Sequence, residues 1–172
     1  MRIQGRIWKF GDDVSTDLII PGRHLNSYDP DHLAAHAMEG ASKEFSSQVE
    51  GGDIVLAGRN FGCGSSREQA VTALVHSHIS CVVARSYARI FYRNAVNLGL
   101  PVFESDEAYE TFTDGEVAVI DTDLKSPSLS TAGCAHQVML SAVPHHAARI
   151  LESGGLVPYV KTRIDGGMLD DK

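Results

Sequence analysis

A glycine-rich turn set between an apolar strand and a helix constrains this chain more than any other feature of its sequence. Residues Arg59-Asn60-Phe61-Gly62-Cys63-Gly64-Ser65-Ser66-Arg67-Glu68-Gln69 follow the strand-like run Asp53-Ile54-Val55-Leu56-Ala57 and precede a helix-like run over 70–76. Such a turn aims backbone N–H groups at whatever lies above it, which makes an anion site. Two serines and an arginine add hydroxyls and a fixed cation at the same place. Strands alternating with helices through the middle of the chain also predict parallel βαβ units.

The rest of the chain extends that pattern. Strands are expected over 2–10, 79–84, 100–103, 117–120 and 137–140, and helices over 29–40, 87–98, 106–112 and 145–153. Asp29 suits the cap and Pro30 the first position of one helix, and Gly40, Gly99 and Gly154-Gly155 supply stops. Residues 11–17 read as a polar loop, with Asp17 just ahead of a buried strand restarting at Leu18-Ile19-Ile20. Alternation in the middle and turn-separated strands later imply one α/β domain over 1–172, a mixed central sheet flanked by helices. A dinucleotide fold is disfavoured, because Gly62-x-Gly64 lacks the third glycine of that fingerprint.

Composition narrows the function. The net charge of −7 argues against a nucleic-acid binder, while an anionic substrate can still be met by a local arginine cluster. No run approaches a membrane span, and the first five residues lack the apolar stretch of a signal peptide, so the cytoplasm is expected. The three cysteines, Cys63, Cys81 and Cys134, stand far apart, without metal-ligand spacing to one another or to histidine. No metal or cofactor is therefore expected in this chain. Cys63, between two glycines with no activating histidine assigned to it, reads as a packing residue. His76-x-His78 and His145-His146 lack a third ligand, and His24 is the better substrate contact.

Ser65 admits two readings. Ser65-x-x-Glu68 has the form of a capping box, which makes Ser65 an N-cap. Alternatively Ser65 is a nucleophile or base, its alkoxide supported by N–H groups at the helix start and by Arg67. Arg67 is expected in the first helical turn, where the macrodipole disfavours a cation, so a two-pronged grip on a carboxylate is the better use of it. Arg89 and Arg93, at i and i+4 of one helix, form either a solvated basic face or a pair facing a partner or substrate.

Three segments together resemble a known family: Val14-Ser15-Thr16-Asp17-Leu18-Ile19-Ile20-Pro21-Gly22-Arg23, Asn60-Phe61-Gly62-Cys63-Gly64-Ser65-Ser66-Arg67-Glu68, and Ser86-Tyr87-Ala88-Arg89-Ile90-Phe91-Tyr92-Arg93-Asn94. They are similar, in order and nearly over the full length, to the small subunits of the aconitase superfamily, particularly the isopropylmalate dehydratases. Gly154-Gly155-Leu156-Val157-Pro158-Tyr159-Val160 also looks like that family.

The resemblance implies a swivelling β/β/α domain that docks on a large subunit carrying a [4Fe-4S] cluster. It implies reversible dehydration of a 2-hydroxy dicarboxylic acid, interconverting 2- and 3-isopropylmalate in leucine biosynthesis. It makes Ser65 the base, Ser66 and Arg67 the carboxylate ligands, and Asp17 an acid pairing with a partner histidine. Residues Arg23, His24, Leu25, Asn26 and Ser27 would set the substrate side group. Many isopropylmalate enzymes have a tyrosine where this chain has His24, and homoaconitate-type enzymes place an arginine near Asn26. The absence of that arginine favours a less charged side group; homoaconitase and dimethylmalate dehydratase small subunits are the related alternatives. A non-catalytic dicarboxylate-binding module is the rival of another class.

Overall fold

The computed structural model describes residues 1–133 and 135–165. Seven strands form one mixed sheet in the order β4-β3-β2-β1-β5-β6-β7. They are β1 (Arg2–Lys9), β2 (Ile54–Ala57), β3 (Cys81–Ala84), β4 (Val102–Glu104), β5 (Val117–Asp121), β6 (Ser128–Thr131) and β7 (Gln137–Met139). The first four pair in parallel, and β5, β6 and β7 continue antiparallel. β1 joins the halves: residues 2–6 pair with β5, and residues 7–9 pair with β2.

Every residue of β2 and β3 is buried, as expected of parallel strands covered on both faces. The covering helices include α4 (Glu68–His76), α5 (Arg89–Asn97), α6 (Asp106–Thr111) and α7 (His145–Glu152). Asp53 secures the β1–β2 junction. Its buried carboxylate accepts bonds from the Arg6 N–H at 2.9 Å, the Trp8 indole N–H at 2.8 Å and the Glu50 N–H at 3.0 Å. A carboxylate taken from water needs such donors.

Several expectations are corrected. The segment after Ser15 is not a strand but a short helix, α1 (Thr16–Ile19), because the Ser15 hydroxyl accepts from the Leu18 N–H and caps it. Asp17 thus lies in a first helical turn. A 3₁₀ turn follows over Gly22–His24. The helix opened by Asp29 and Pro30 is only α2 (Pro30–Ala34). It stops short of Gly40 as the chain turns, with Met38 at φ 57° and its N–H bonded to the Ile19 carbonyl at 2.7 Å. The structure adds three elements that the sequence pattern does not announce, α3 (Phe45–Gln48), β6 and α8 (Leu156–Asp165). Cys134 lies outside the described residues.

Candidate active site

Three loops at the carboxyl ends of the parallel strands meet on the glycine turn, where ligands bind in open α/β sheets. The loops after β1 and β2 stay paired beyond the strands. Gly58 donates its N–H to the Gly11 carbonyl at 3.0 Å, Asp13 to Arg59 at 2.8 Å, Gly62 to Val14 at 2.7 Å and Thr16 to Cys63 at 2.8 Å. The loop after β3 joins through the Phe61 N–H to the Ser86 carbonyl, 3.0 Å, and the Ala88 N–H to the Phe61 carbonyl, 2.9 Å. The three segments that carry the family resemblance are therefore one hydrogen-bonded unit.

Gly62 shows why the turn needs glycine. Its φ is +77°, and a Cβ there would lie 2.2 Å from the buried Phe91 ring. Phe91 meets Phe61 edge-on, with ring centroids 5.1 Å apart. Beneath them Tyr87 directs its hydroxyl at the Val82 and Phe103 carbonyls, 2.8 and 2.9 Å away. Burial, with Cys81 and Glu104 adding to it, raises the Tyr87 pKa well above the ordinary phenol value. Tyr87 is thus a neutral prop.

The capping-box reading of Ser65 fails. α4 begins at Glu68 and its N-cap is Arg67, in extended backbone (φ −132°, ψ 104°). The Thr16 hydroxyl holds the Ser65 carbonyl at 3.1 Å, and the chain runs extended through Arg67 before it can coil. Arg67 is accordingly at the cap and not inside the first turn, while Glu68 takes the position the macrodipole favours. Ser65 and Ser66 are exposed, and neither hydroxyl has a hydrogen-bond partner among the described residues.

Arg67 turns inward. Its side chain is 16% exposed, and Nη1 bonds Asp17 at 2.5 Å and the Ile20 carbonyl at 3.4 Å. This ion pair joins α1 to the start of α4, and Asp17 remains 60% exposed. An open cleft of about 530 Å³ runs alongside, lined by Ser66, Glu68, Gln69, Tyr28, Leu33 and Asn94 among others.

The segment 23–27 divides. Arg23 and Asn26 are exposed, Leu25 and Ser27 are half-buried, and His24 is buried. Ser27 spends its hydroxyl accepting from the Asp29 N–H at 3.1 Å. Arg23 pairs with Glu39, and His24 Nε2 lies 2.8 Å from the same carboxylate. His24 is therefore directed into the protein. There it stacks on His36, centroids 3.8 Å apart, and faces His32. Sequence reasoning missed this cluster, although His32-x-x-x-His36 is a spacing that places two histidines on one side of a helical turn. Arg89 and Arg93 are exposed and line a separate, mostly apolar cavity of about 520 Å³ with Tyr92, Val143 and Pro144.

Residues 12–107 match the Aconitase C-terminal domain family. The chain belongs to that family. Among its relatives is the 3-isopropylmalate dehydratase small subunit of Syntrophus aciditrophicus, 44% identical over 96% of this chain and 100% of the relative. The methanogen homoaconitase small subunit of Methanothermobacter thermautotrophicus is 48% identical over 99% of this chain and 97% of that one. The crystal structure of a 3-isopropylmalate dehydratase from Methanocaldococcus jannaschii superposes with a TM-score of 0.91 at 42% identity, covering 99% of this chain and 100% of that one. The mixed sheet flanked by helices is the aconitase-family fold seen in that structure. No helix among the described residues is long and apolar enough to cross a membrane.

Proposed function

We propose that this chain, folded as one domain over 1–172, is the small subunit of a cytoplasmic 3-isopropylmalate dehydratase. With a large subunit it interconverts 2- and 3-isopropylmalate by dehydration and rehydration, a hydro-lyase reaction of leucine biosynthesis. The observation that carries this reading is the convergence of three loops on exposed Ser65 and Ser66 beside the Asp17–Arg67 pair.

The chain's donors do not fit an iron–sulfur cluster, which is held by several Cys thiolates. Cys81 is enclosed in β3, where burial, only partly opposed by a hydrogen bond from Ser80, pushes its thiol up to about 12. Cys63 points at the Asp13 carbonyl. The [4Fe-4S] cluster is therefore assigned to the large subunit, and this chain's own residues serve the proton-transfer half of the reaction.

Ser65 Oγ, as an alkoxide supported by N–H groups of the turn and by Arg67, takes the proton from the carbon beside a substrate carboxylate and becomes the neutral hydroxyl, while the substrate hydroxyl leaves as water on the large-subunit side. Arg67 receives that carboxylate, onto which the charge of the departing proton's electron pair spreads. Asp17 and Ile20 occupy only Nη1, so Nη2 and Nε remain for a planar, two-point grip. The Ser66 hydroxyl and the start of α4 add donors to the same oxygens. Asp17, more than half exposed, fixes the guanidinium and keeps an oxygen for a histidine of the partner. Leu25, Asn26 and Ser27, with Arg23 and His24 behind them, shape the side-group end.

The homoaconitase relative supports a second reading, with a substrate bearing one more carboxylate. The 23–27 segment argues for the first: Arg23 is already paired with Glu39, and Asn26 is uncharged. Both are tested by anaerobic reconstitution with a cluster-loaded large subunit, comparing isopropylmaleate, dimethylmaleate and the unsaturated homoaconitase intermediate. Isopropylmaleate should be hydrated fastest. Ser65→Ala should lower turnover about 10²–10⁴-fold, the range for a lost general base, with assembly intact. Full activity in that variant rules out the role given to Ser65. Binding of substrate analogues without the large subunit, and no turnover with it, would favour the non-catalytic module.

A further inference from the structure

We propose that His24, His32 and His36 form a binding site for a first-row divalent cation such as zinc, on the side of the protein that carries the 23–27 segment. The three residues come from the 3₁₀ turn, from α2 and from the turn after it. One ring nitrogen from each lies within 4.8 Å of the others. His24 Nδ1 and His32 Nε2 are 3.3 Å apart. Zinc–nitrogen bonds of about 2.0–2.1 Å in a tetrahedron separate their nitrogens by about 3.3–3.4 Å. That edge of the coordination polyhedron is already built.

Glu39 supplies the outer support. Its Oε2 lies 2.8 Å from His24 Nε2 and 3.1 Å from His36 Nδ1. A carboxylate there holds the proton on those two nitrogens and leaves His24 Nδ1 and His36 Nε2 as lone-pair donors, the arrangement that orients metal-binding imidazoles. The Arg23 guanidinium pairs with the other oxygen, Oε1, and steadies the Glu39 carboxylate in that position. Without metal, the His32 Nε2–H satisfies His24 Nδ1; with metal, that proton moves to His32 Nδ1 and both nitrogens face the ion.

One movement is required. His36 stacks on His24 with 15° between the ring planes, so their lone pairs lie in nearly parallel planes and do not meet at one point. His36 is 34% exposed, which leaves its ring room to tilt about the Nδ1–Glu39 contact until Nε2 reaches the ion. Three imidazoles leave a fourth position for water. The bound ion would tie the 3₁₀ turn to α2 and stiffen the 23–27 segment between them. The inference stands on these side chains alone and does not depend on the proposed reaction.

The test uses the full chain, stripped with a chelator and titrated with Zn²⁺ and with Co²⁺. One equivalent should bind, Co²⁺ should give the intense visible bands of a tetrahedral site, and Zn²⁺ should raise Tm. The ring NMR signals of His24, His32 and His36 should shift, while those of His76, His78, His145 and His146 stay in place. His24→Gln and His32→Gln should each abolish stoichiometric binding, and Glu39→Gln should weaken it about 10–100-fold. If His24→Gln does not fold, His32→Gln on the half-buried ring decides the outcome, with circular dichroism as its control. Absence of one-equivalent binding, unchanged affinity in His32→Gln, or shifts confined to His145 and His146 would each overturn the proposal.

Discussion

The two halves of the sheet obey different rules. In the parallel half, β2 and β3 are buried at every position, and the strands end in loops that carry Asp17, Ser65, Ser66 and Arg67. In the antiparallel half, β5 alternates: Ala118 and Ile120 are enclosed, while Val117 is 44% exposed. One half holds chemistry at strand ends that cannot shift without disturbing a core on both faces. The other pairs with β1 along one edge, over residues 2–6. Damage in the parallel half should reach turnover, and damage in the antiparallel half should stay in stability.

The sharpest way to break this contrast is Gly62→Ala. A left-handed backbone costs a non-glycine residue about 1–2 kcal/mol, and forcing Cβ into the Phe91 ring adds about 1–3 kcal/mol of overpacking. Denaturant unfolding should show a loss of about 2–5 kcal/mol, and the reconstituted enzyme should lose activity as the turn shifts. Arg67→Lys is next. A lysine keeps the charge but not the planar fork, so kcat/KM should fall about 10²-fold, equivalent to about 2.7 kcal/mol, with Tm little changed. If Arg67→Lys lowers Tm while leaving kcat/KM intact, the Asp17–Arg67 pair is structural and the two halves do not differ in this way.

Legibility in the sequence follows the same division. Strands β2 and β3 read as unbroken apolar runs, and a parallel, doubly covered strand has no other way to be written. β6, Ser-Leu-Ser-Thr, escapes a pattern reading because most of it is polar and a single leucine carries its apolar burial. α1 reads as a strand because Leu18, Ile19 and Ile20 form a short apolar run, which periodicity cannot assign; the Ser15 cap decides it. The capping box at Ser65 is a correct local pattern overridden by a tertiary bond from Thr16. Arg67's inward turn needs the position of α1, which no local spacing encodes. The histidine cluster is hidden because His24 is separated from His32 by a loop, and only the fold closes that gap.

In the antiparallel half, Ile120→Val removes one buried methylene from a fully enclosed side chain. It should cost about 0.5–1.5 kcal/mol and leave turnover of the folded enzyme unchanged. A proportionate fall in kcat/KM would mean that β5 transmits packing to the loops across β1, and the division between halves would have to move one strand outward.

Asp121, at the end of β5, should give the smallest effect and the one most sensitive to solution conditions. It bonds Arg2 Nε at 3.2 Å, the terminal amine at 3.4 Å and the Asp123 N–H at 3.2 Å. The Arg2 bond lowers its pKa most, burial opposes it, and the net shift is downward. A depressed carboxyl binds fewer protons folded than unfolded. Its stabilisation is therefore present above the ordinary value of about 3.9 and lost as pH falls through the lowered one. Arg2 and the amine are mostly exposed, so screening limits the contribution to about 0.2–1 kcal/mol. Asp121→Asn should lower stability by that amount at pH 7, and the gap should narrow in high salt and close in acid. A gap that persists below both pKa values would come from the Asp123 turn geometry and not from charge, and the end of β5 would then be held by its backbone alone.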